Sequence, residues 1–541
     1  MDTDVLVVGG GPVGLTLAID LSRRGVRCTL IEQKSEPASL PKMERCNART
    51  MEMYRRMGLS GEIRAAGLRE DVPMDVFVVL AMNERPLLRL PYPSVAQATA
   101  NIRATIDGTE PLETYQLISQ YTLEPLLKSV LEKMPTARVR FGCEFHSFEQ
   151  DPKGVTATVH GAGGTETIRA RYLVGCDGGG SAVRKQTGFR LRGEGDLMRL
   201  RQALFRCDEL FDMLPIGNGP SRGRHYHVAD DRATFLIMQD STRHWTLHSQ
   251  VETDAEMAAA FERTVGVPVA YEMLSCQPWR QNLLLADRYR DGRVFLAGDA
   301  AHLLIPTGGL GMNTGIGDAI DLSWKLAGTL EGWGGPGLLN SYEVERRQVG
   351  DRNVGASRYA STGRRAWRSM YRPGIRDPNP AGAAIRRDLA RVADVEQRKT
   401  NEMIGAELGY RYVDSPVIAD VPGGPEHLFR QYIPTTWPGA RLPHVWLNDG
   451  TAMQDKLGDG YTLLKLGSAV RGDTNTDSLE RPLRDRGAPL ETVSIADEVA
   501  REVYGYDLLL VRPDMHVVWR GNQLPEEPLA LADIAIGNSV P

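Results

Sequence analysis

Cysteine is scarce in this chain and absent after residue 276. The six cysteines stand at 28, 46, 143, 176, 207 and 276, and no two form a Cys-x-x-Cys pair. Such spacing disfavours disulfide-reductase chemistry and reads as scattered free thiols of a reducing cytoplasm. No uncharged apolar run reaches the ~18 residues of a membrane span. The chain opens with Asp2 and Asp4 and runs directly into a strand, so no signal peptide is expected. Neither sign of charge dominates: 64 Lys+Arg against 69 Asp+Glu leave −5 at pH 7, which argues against general nucleic-acid binding. What is present is a globular composition, 42% hydrophobic and 25% charged over 541 residues. That length exceeds one core and implies two to four domains.

Three motifs, widely separated, organise the chain. The first is Gly9-Gly10-Gly11-Pro12-Val13-Gly14, between an apolar run at 4–8 and a stretch at 12–24 with Val13, Leu17 and Leu21 at helical spacing. A second strand at 26–31 ends in Glu32, 18 positions past the last glycine. In such a β-α-β unit Gly9 permits the tight turn, Gly11 admits a pyrophosphate, and Gly14 lets helix and strand pack closely. The helix N-terminus favours phosphate, and Glu32 suits ribose hydroxyls. This fingerprint alone does not separate NAD from FAD.

The second motif, Cys176-Asp177-Gly178, ends a strand at 171–176, with Ser181 and Arg184 spaced for a first helical turn. Asp177 there is either a ligand-edge carboxylate or the cap of a common Asp-Gly turn. The third, Gly298-Asp299, ends a buried strand at 294–297. The loop Pro306-Thr307-Gly308-Gly309-Leu310-Gly311-Met312-Asn313 then leads into a helix containing Ile316, Ile320 and Trp324. A glycine loop presenting a helix N-terminus suits the anionic edge of a reduced flavin, and Asp299 suits a polyhydroxyl chain such as ribitol. No second glycine fingerprint marks a separate nicotinamide domain.

In this combination the chain resembles the class A flavoprotein aromatic hydroxylases, typified by para-hydroxybenzoate hydroxylase, from residue 2 to about residue 350. The resemblance implies that Gly9, Gly11, Pro12, Val13, Gly14 and Glu32 hold the ADP part of FAD, and that Asp299 binds ribitol. It places Asp177 near FAD and the nicotinamide, and lays Pro306, Gly309, Leu310, Gly311, Met312 and Asn313 over the isoalloxazine. Gln120, in Ile118-Ser119-Gln120-Tyr121, matches the family's flavin-contacting glutamine. Lys42 stands where many members carry arginine near the pyrophosphate; it keeps the charge but not the bidentate geometry. Glu44 occupies the place of a catalytic carboxylate in some phenol-hydroxylating relatives, and with Arg45 beside it is a candidate catalytic residue. An exposed loop glutamate is the plainer alternative.

Between the second and third motifs, β-type runs at 233–238 and 245–251 are broken by polar turns, which reads as an inserted antiparallel sheet. By resemblance that sheet forms the substrate cavity. His225, Tyr226 and His227 are candidate catalytic groups there, and Gln239, Trp245 and His248 are candidate pocket residues. Each histidine alone has an ordinary hydrogen-bonded role as its alternative. His225 and His227 could form half of a metal site, but no supporting carboxylate or thiol cluster accompanies them, so no metal is expected. The arginines of 343–400, among them Arg346, Arg347, Arg364, Arg365, Arg386 and Arg387, alternate with acidic and apolar residues and read as solvated helices. Proline and glycine at Val421-Pro422-Gly423-Gly424-Pro425 mark a boundary near 425. The segments Leu408-Gly409-Tyr410-Arg411-Tyr412 and Leu510-Val511-Arg512-Pro513-Asp514 resemble the tail of the phenol and polyketide hydroxylase subgroup, which ends in a thioredoxin-like domain. Without cysteine, thiol exchange in that domain is excluded.

The expected fold is therefore α/β: a Rossmann-like FAD-binding domain (1–190 and 276–355), an inserted antiparallel-sheet substrate domain (191–275), a helical connection (356–425) and a thioredoxin-like α/β domain (426–541). The resemblance implies hydroxylation of a phenolic ring with FAD, NADPH or NADH, and O2 through a flavin hydroperoxide, in a cytoplasmic monomer or homodimer. Its partner would be a small aromatic substrate, with no nucleic acid and no membrane. Ring opening, Baeyer–Villiger insertion and antibiotic inactivation are alternative outcomes of the same flavin chemistry. A flavin-binding module of a biosynthetic complex is the non-enzymatic alternative. Halogenation is disfavoured because no Trp-x-Trp occurs.

Overall fold

Buried apolar stretches at 5–8, 173–174 and 294–296 form the middle of the first sheet, as expected of strands covered on both faces. A computed structural model describes residues 1–539 except 38, 40 and 473. In it the strands run in the order Arg290–Asp291, Val294–Leu296, Gly164–Gly175, Thr3–Val8, Cys28–Glu32 and Ala137–Phe141. The pairs joining the last five are all parallel, and the hairpin Glu144–Asp151 and Gly154–Gly161 extends the sheet. Helices Pro12–Arg23, Gln120–Glu132 and Gly311–Glu331 supply its cover, and Leu15, Ile19, Leu127, Ile316 and Leu322 lie in the same apolar core as Val5 and Leu30. All three motifs fall at the carboxyl ends of these strands, where open α/β sheets bind ligands.

The second sheet runs His302–Leu303, Glu272–Ala286, Leu191–Arg206, His244–Ser249, Phe235–Met238, His225–Val228, Val76–Val79 and Leu88–Leu90. This differs from an insertion confined to 191–275. Two strands come from far upstream, with Val76–Val79 pairing in parallel with His225–Val228, and Glu272–Ala286 overruns the expected boundary. Those four upstream residues, all buried, carry no local sign of a partner some 150 positions away. The expected break at 355 also falls inside one continuous helix, Pro336–Arg368. Its end packs with Pro380–Glu396 over the second sheet, where Trp367 and Leu389 join Val78 and Ala229.

The C-terminal sheet has the order Leu490–Ser494, Tyr461–Lys465, Leu508–Val511, Val517–Gly521. Its first pair is parallel and the others antiparallel. With helices Asp477–Asp485, Glu498–Tyr504 and Pro528–Ile536, this is the expected thioredoxin-like arrangement. Its core is not closed on itself, for Trp324, Trp333 and Leu338 share one apolar cluster with Tyr461, Leu463, Leu510 and Val518.

Candidate active site

One cavity of about 590 Å³ is lined from both sheets. At one end stands the glycine turn. A side-chain carbon at Gly9 (φ +114°) would lie 2.4 Å from the Cys176 carbonyl oxygen, and one at Gly14 would lie 2.0 Å from the Gly9 carbonyl oxygen. At Gly11 the nearest atom is 3.9 Å away. Gly9 and Gly14 therefore hold the turn tight, and Gly11 leaves it open to the cavity. Glu32 accepts from Gly10 N at 2.7 Å and Lys34 N at 3.0 Å while lining the cavity wall. Pro12, Val13 and Lys42 line it too. Gln120 Oε1 accepts from Lys42 N at 3.0 Å, and its amide nitrogen donates to Glu124.

Asp299 sits in the turn Gly298–Ala300, is exposed, and lines this cavity. Desolvation by the atoms around it raises the carboxyl pKa, against the pull of His302 and Lys42. Asn313 fastens the glycine loop: Nδ2 donates to Gly309 O (2.7 Å) and Arg45 O (3.2 Å), and Oδ1 accepts from Asn47 N (2.9 Å). Pro306, Gly309, Gly311 and Met312 line the cavity. Leu310 does not; it is buried the other way, against Ala356, Ala360 and Met403. Asp177 accepts from Ser181 Oγ (2.6 Å), Ala182 N (2.7 Å) and Val183 N (3.1 Å). Its carboxylate thus caps a helix, while Asp177 with Gly178 and Gly180 still borders the cavity. A glycine cradle at a helix N-terminus, an acid at the second strand's end, a cavity-facing Asp299 and a second helix headed by glycines together fit FAD.

At the other end, Glu44 is ion-paired with Arg224 and lies 3.2 Å from His225 Nε2. Burial opposes its ionisation, but Arg224 and then His225 outweigh burial and hold the carboxyl well below the usual range. Burial, with Arg224, pulls His225 down to about 4, and burial pulls His248 down to about 3. Both rings are neutral near pH 7. His248 stacks on Phe235 at 4.4 Å and meets Trp279 edge-on at 5.8 Å. Gln239 lines the cavity, with Oε1 accepting from Ser119 Oγ and Nε2 donating to Thr246 Oγ1, both at 2.7 Å.

Three expected residues lie elsewhere. Successive strand residues face opposite sides, so Tyr226, between His225 and His227, points into the far core, and Trp245 joins it there. Tyr226 stacks on Phe77 at 5.4 Å, and its hydroxyl is taken up by the backbone at 223. His227 shares the face of His225 but lies one layer back, 3.2 Å from Gln397 Nε2 and outside the cavity lining. Arg45 borders the cavity; its guanidinium donates to Gly308 O (3.3 Å) and pairs with Glu407 at 2.9 Å, fastening the glycine loop. Sequence reasoning missed Arg224, Trp279 and Arg364. Only Arg364 left a signal: positions 360, 361, 367 and 368 hold Ala, Ser, Trp and Arg, so no acidic residue stands at helical spacing from it.

A pyrophosphate cradle opening into an aromatic-walled pocket defines a flavoprotein oxidoreductase. The chain belongs to the FAD-dependent aromatic-ring hydroxylases: the model of the FAD binding domain matches residues 2–357, and that of the aromatic-ring hydroxylase C-terminal domain matches 435–535. It is 32% identical to the FAD-dependent monooxygenase apdD of Emericella nidulans, over 96% of this chain and 88% of that one. Among solved structures it is similar to the rebeccamycin biosynthetic enzyme RebC with reduced flavin (34% identity, TM-score 0.86, 99% of each chain). It is also similar to a ternary complex of aklavinone-11 hydroxylase with FAD and aklavinone (27% identity, TM-score 0.83, 99% of each chain). The protein is thus an FAD-dependent monooxygenase, using reduced nicotinamide and O2. Among the described residues no helix is long and apolar enough to cross a membrane, and no cluster of three or more His, Cys, Asp or Glu could hold a metal.

Proposed function

We propose that this monooxygenase hydroxylates the ring of a phenolic natural product, with His225 taking the phenolic proton. One observation carries the assignment: the Arg224–Glu44–His225 chain opens into the same cavity as the glycine cradle and Asp299. Support for a polycyclic substrate comes from the aklavinone bound to one structural relative.

FAD, when bound, supplies the electrons taken from the nicotinamide and activates O2 for transfer to the ring. Gly9, Gly11 and Gly14 shape the turn that would hold its pyrophosphate, and Asp299 would take the ribitol hydroxyls. The positive end of the helix beginning at Gly311 would stabilise negative charge on the ring's edge. The remaining work belongs to the pocket. Phe235, Ile237 and Trp279 line it with apolar surface that excludes water. His248, stacked on Phe235, offers a flat face against which an aromatic ring can be positioned. Glu44 accepts the proton of His225 Nε2, fixing the tautomer, which leaves the buried Nδ1 as an acceptor with no partner among the described residues. A phenol of pKa ~10 must shed its proton to become a good nucleophile. His225 receives it, the Glu44 carboxylate steadies the imidazolium, and Arg224 holds Glu44 ionised.

The test is NADPH and NADH oxidation by the flavin-loaded protein with a panel of monocyclic and polycyclic phenols under isotopically labelled O2. Stimulated oxidation with a product one labelled oxygen heavier is expected. Stimulation that yields hydrogen peroxide alone with every phenol would overturn the reading.

A further inference from the structure

The substrate end carries an uncompensated positive charge. Its ionisable groups come from four elements. Glu44, from the segment after residue 41, is matched by Arg224 at the start of His225–Val228. His225 and His248 are neutral near pH 7. From Pro336–Arg368 come Arg364 and, one turn on, Arg368. The second is provided for: it lies 3.6 Å from Asp230 and donates to Thr234 O at 3.0 Å. Arg364 is not. It lines the cavity, its guanidinium lies over the Phe235 ring at 4.9 Å, and its buried Nε has no hydrogen-bond partner. Among the described residues no carboxylate pairs with it. The short helix Arg398–Asn401 adds only the neutral Thr400 and Asn401 to this wall.

A guanidinium keeps its charge when enclosed, and an enclosed charge without a counter-ion is costly. Burial, and then Arg368, draw Arg364 down only to about 9, against the weaker pull of Glu44, so it remains a cation at pH 7. With Glu44 already spent on Arg224, the missing anion must arrive with the ligand. Planar, fork-shaped guanidinium matches a carboxylate in two parallel hydrogen bonds.

We infer that Arg364 is a specificity-determining residue that binds the carboxylate of an acidic aromatic substrate. The inference rests on the hydroxylase reading and narrows it from phenols at large to phenols that carry an acid group. The phenolate itself is not the anion meant, since His225 and Glu44 already stand ready for the phenolic proton.

Binding can be measured apart from turnover, by the shift of the bound flavin's absorbance on titration. The probes are hydroxynaphthoic acids and hydroxyanthraquinone carboxylic acids, each paired with its methyl ester, the carboxyl not adjacent to the hydroxyl. The wild-type protein should bind the acid about 10- to 100-fold more tightly than its ester. Arg364→Met should bring that ratio near one, and Arg364→Lys should leave it between. Flavin content and melting temperature show that each variant is folded. Equal affinity for acid and ester in the wild-type protein, binding of neither, or an acid preference that survives Arg364→Met would overturn the inference. If acids bind selectively but no hydroxylated product forms, the hydroxylase reading fails and the carboxylate site stands. If esters and acids are hydroxylated alike, the reading stands and the site fails.

Discussion

Several histidines of this protein are buried without charge. His225, His444 and His516 are drawn down to about 4 and His248 to about 3, in each case chiefly by burial. In the unfolded chain each titrates near 6.5. Between those values the unfolded state binds more protons than the folded one, so stability rises with pH there. It is complete above about pH 6.5 and is lost as pH falls towards 4, by an order of a few kcal/mol for each such ring. Glu44, held below the usual carboxylate range, acts in a lower window: its contribution persists above about pH 4.3 and goes only in stronger acid. Calorimetry across pH 8 to 4 should show a melting temperature flat above neutrality and falling steeply below pH 6.5. A flat profile from 7 to 5 would contradict the buried neutral rings. At this scale Glu44 stood out as a candidate by family resemblance alone, with no local signal of its own. Tyr226 and Trp245 were misplaced because chemistry alone does not tell which face of a strand a residue takes, and one step of register exchanges them.

The elements that carry the flavin residues are held by a device at their back. Asp318, on Gly311–Glu331, accepts from Gly298 N (3.0 Å) and is 2.8 Å from His302 Nε2, with Arg346 Nε donating to its other oxygen at 2.8 Å. Arg346 also donates to Thr314 O at 3.0 Å. One buried carboxylate thus locks the Asp299 turn to the helix headed by the glycine loop. Asp318→Asn removes the charge facing a buried arginine, a loss of about 3–5 kcal/mol. The variant should purify with less flavin and a lower melting temperature, and added FAD should restore part of that temperature by mass action. Flavin retention equal to the parent would exclude this role. The glycine fingerprints were readable because each is a local turn followed by its own helix. The lock was not, because its members lie between residues 298 and 346 and look, singly, like any buried polar group.

The whole molecule is tied together by charges that do not respect its domains. Arg512, in the C-terminal domain, pairs with Glu345 (2.6 Å), Asp321 (3.0 Å) and Asp514 (2.5 Å), and Lys325 joins Asp321 (2.7 Å) and Glu345 (2.6 Å). All are buried. Arg512→Met removes the shared partner of Glu345, Asp321 and Asp514, leaving Lys325 to the first two and His516 to the third, and by the cost of breaking buried pairs it should destabilise by about 3–5 kcal/mol. Because Trp324 and Trp333 share a core with Tyr461, unfolding followed by calorimetry should remain a single transition in the variant. Two separated transitions would show an independent C-terminal unit. The proline-rich segment near 425 suggests a domain edge by composition, but composition carries no record of what lies across an edge.

The discontinuity of the second sheet bears on how this pocket can be altered. One edge of it comes from 76–90, the rest from 191–286 apart from the short edge strand at 302–303, and the arginine facing it from a helix ending at 368. A chimera that exchanges only 191–275 with a relative would graft new strands beside an unchanged Val76–Val79 and an unchanged Arg364. Crossover points placed to carry all three stretches together would move the binding wall as a unit, and substrate range with it.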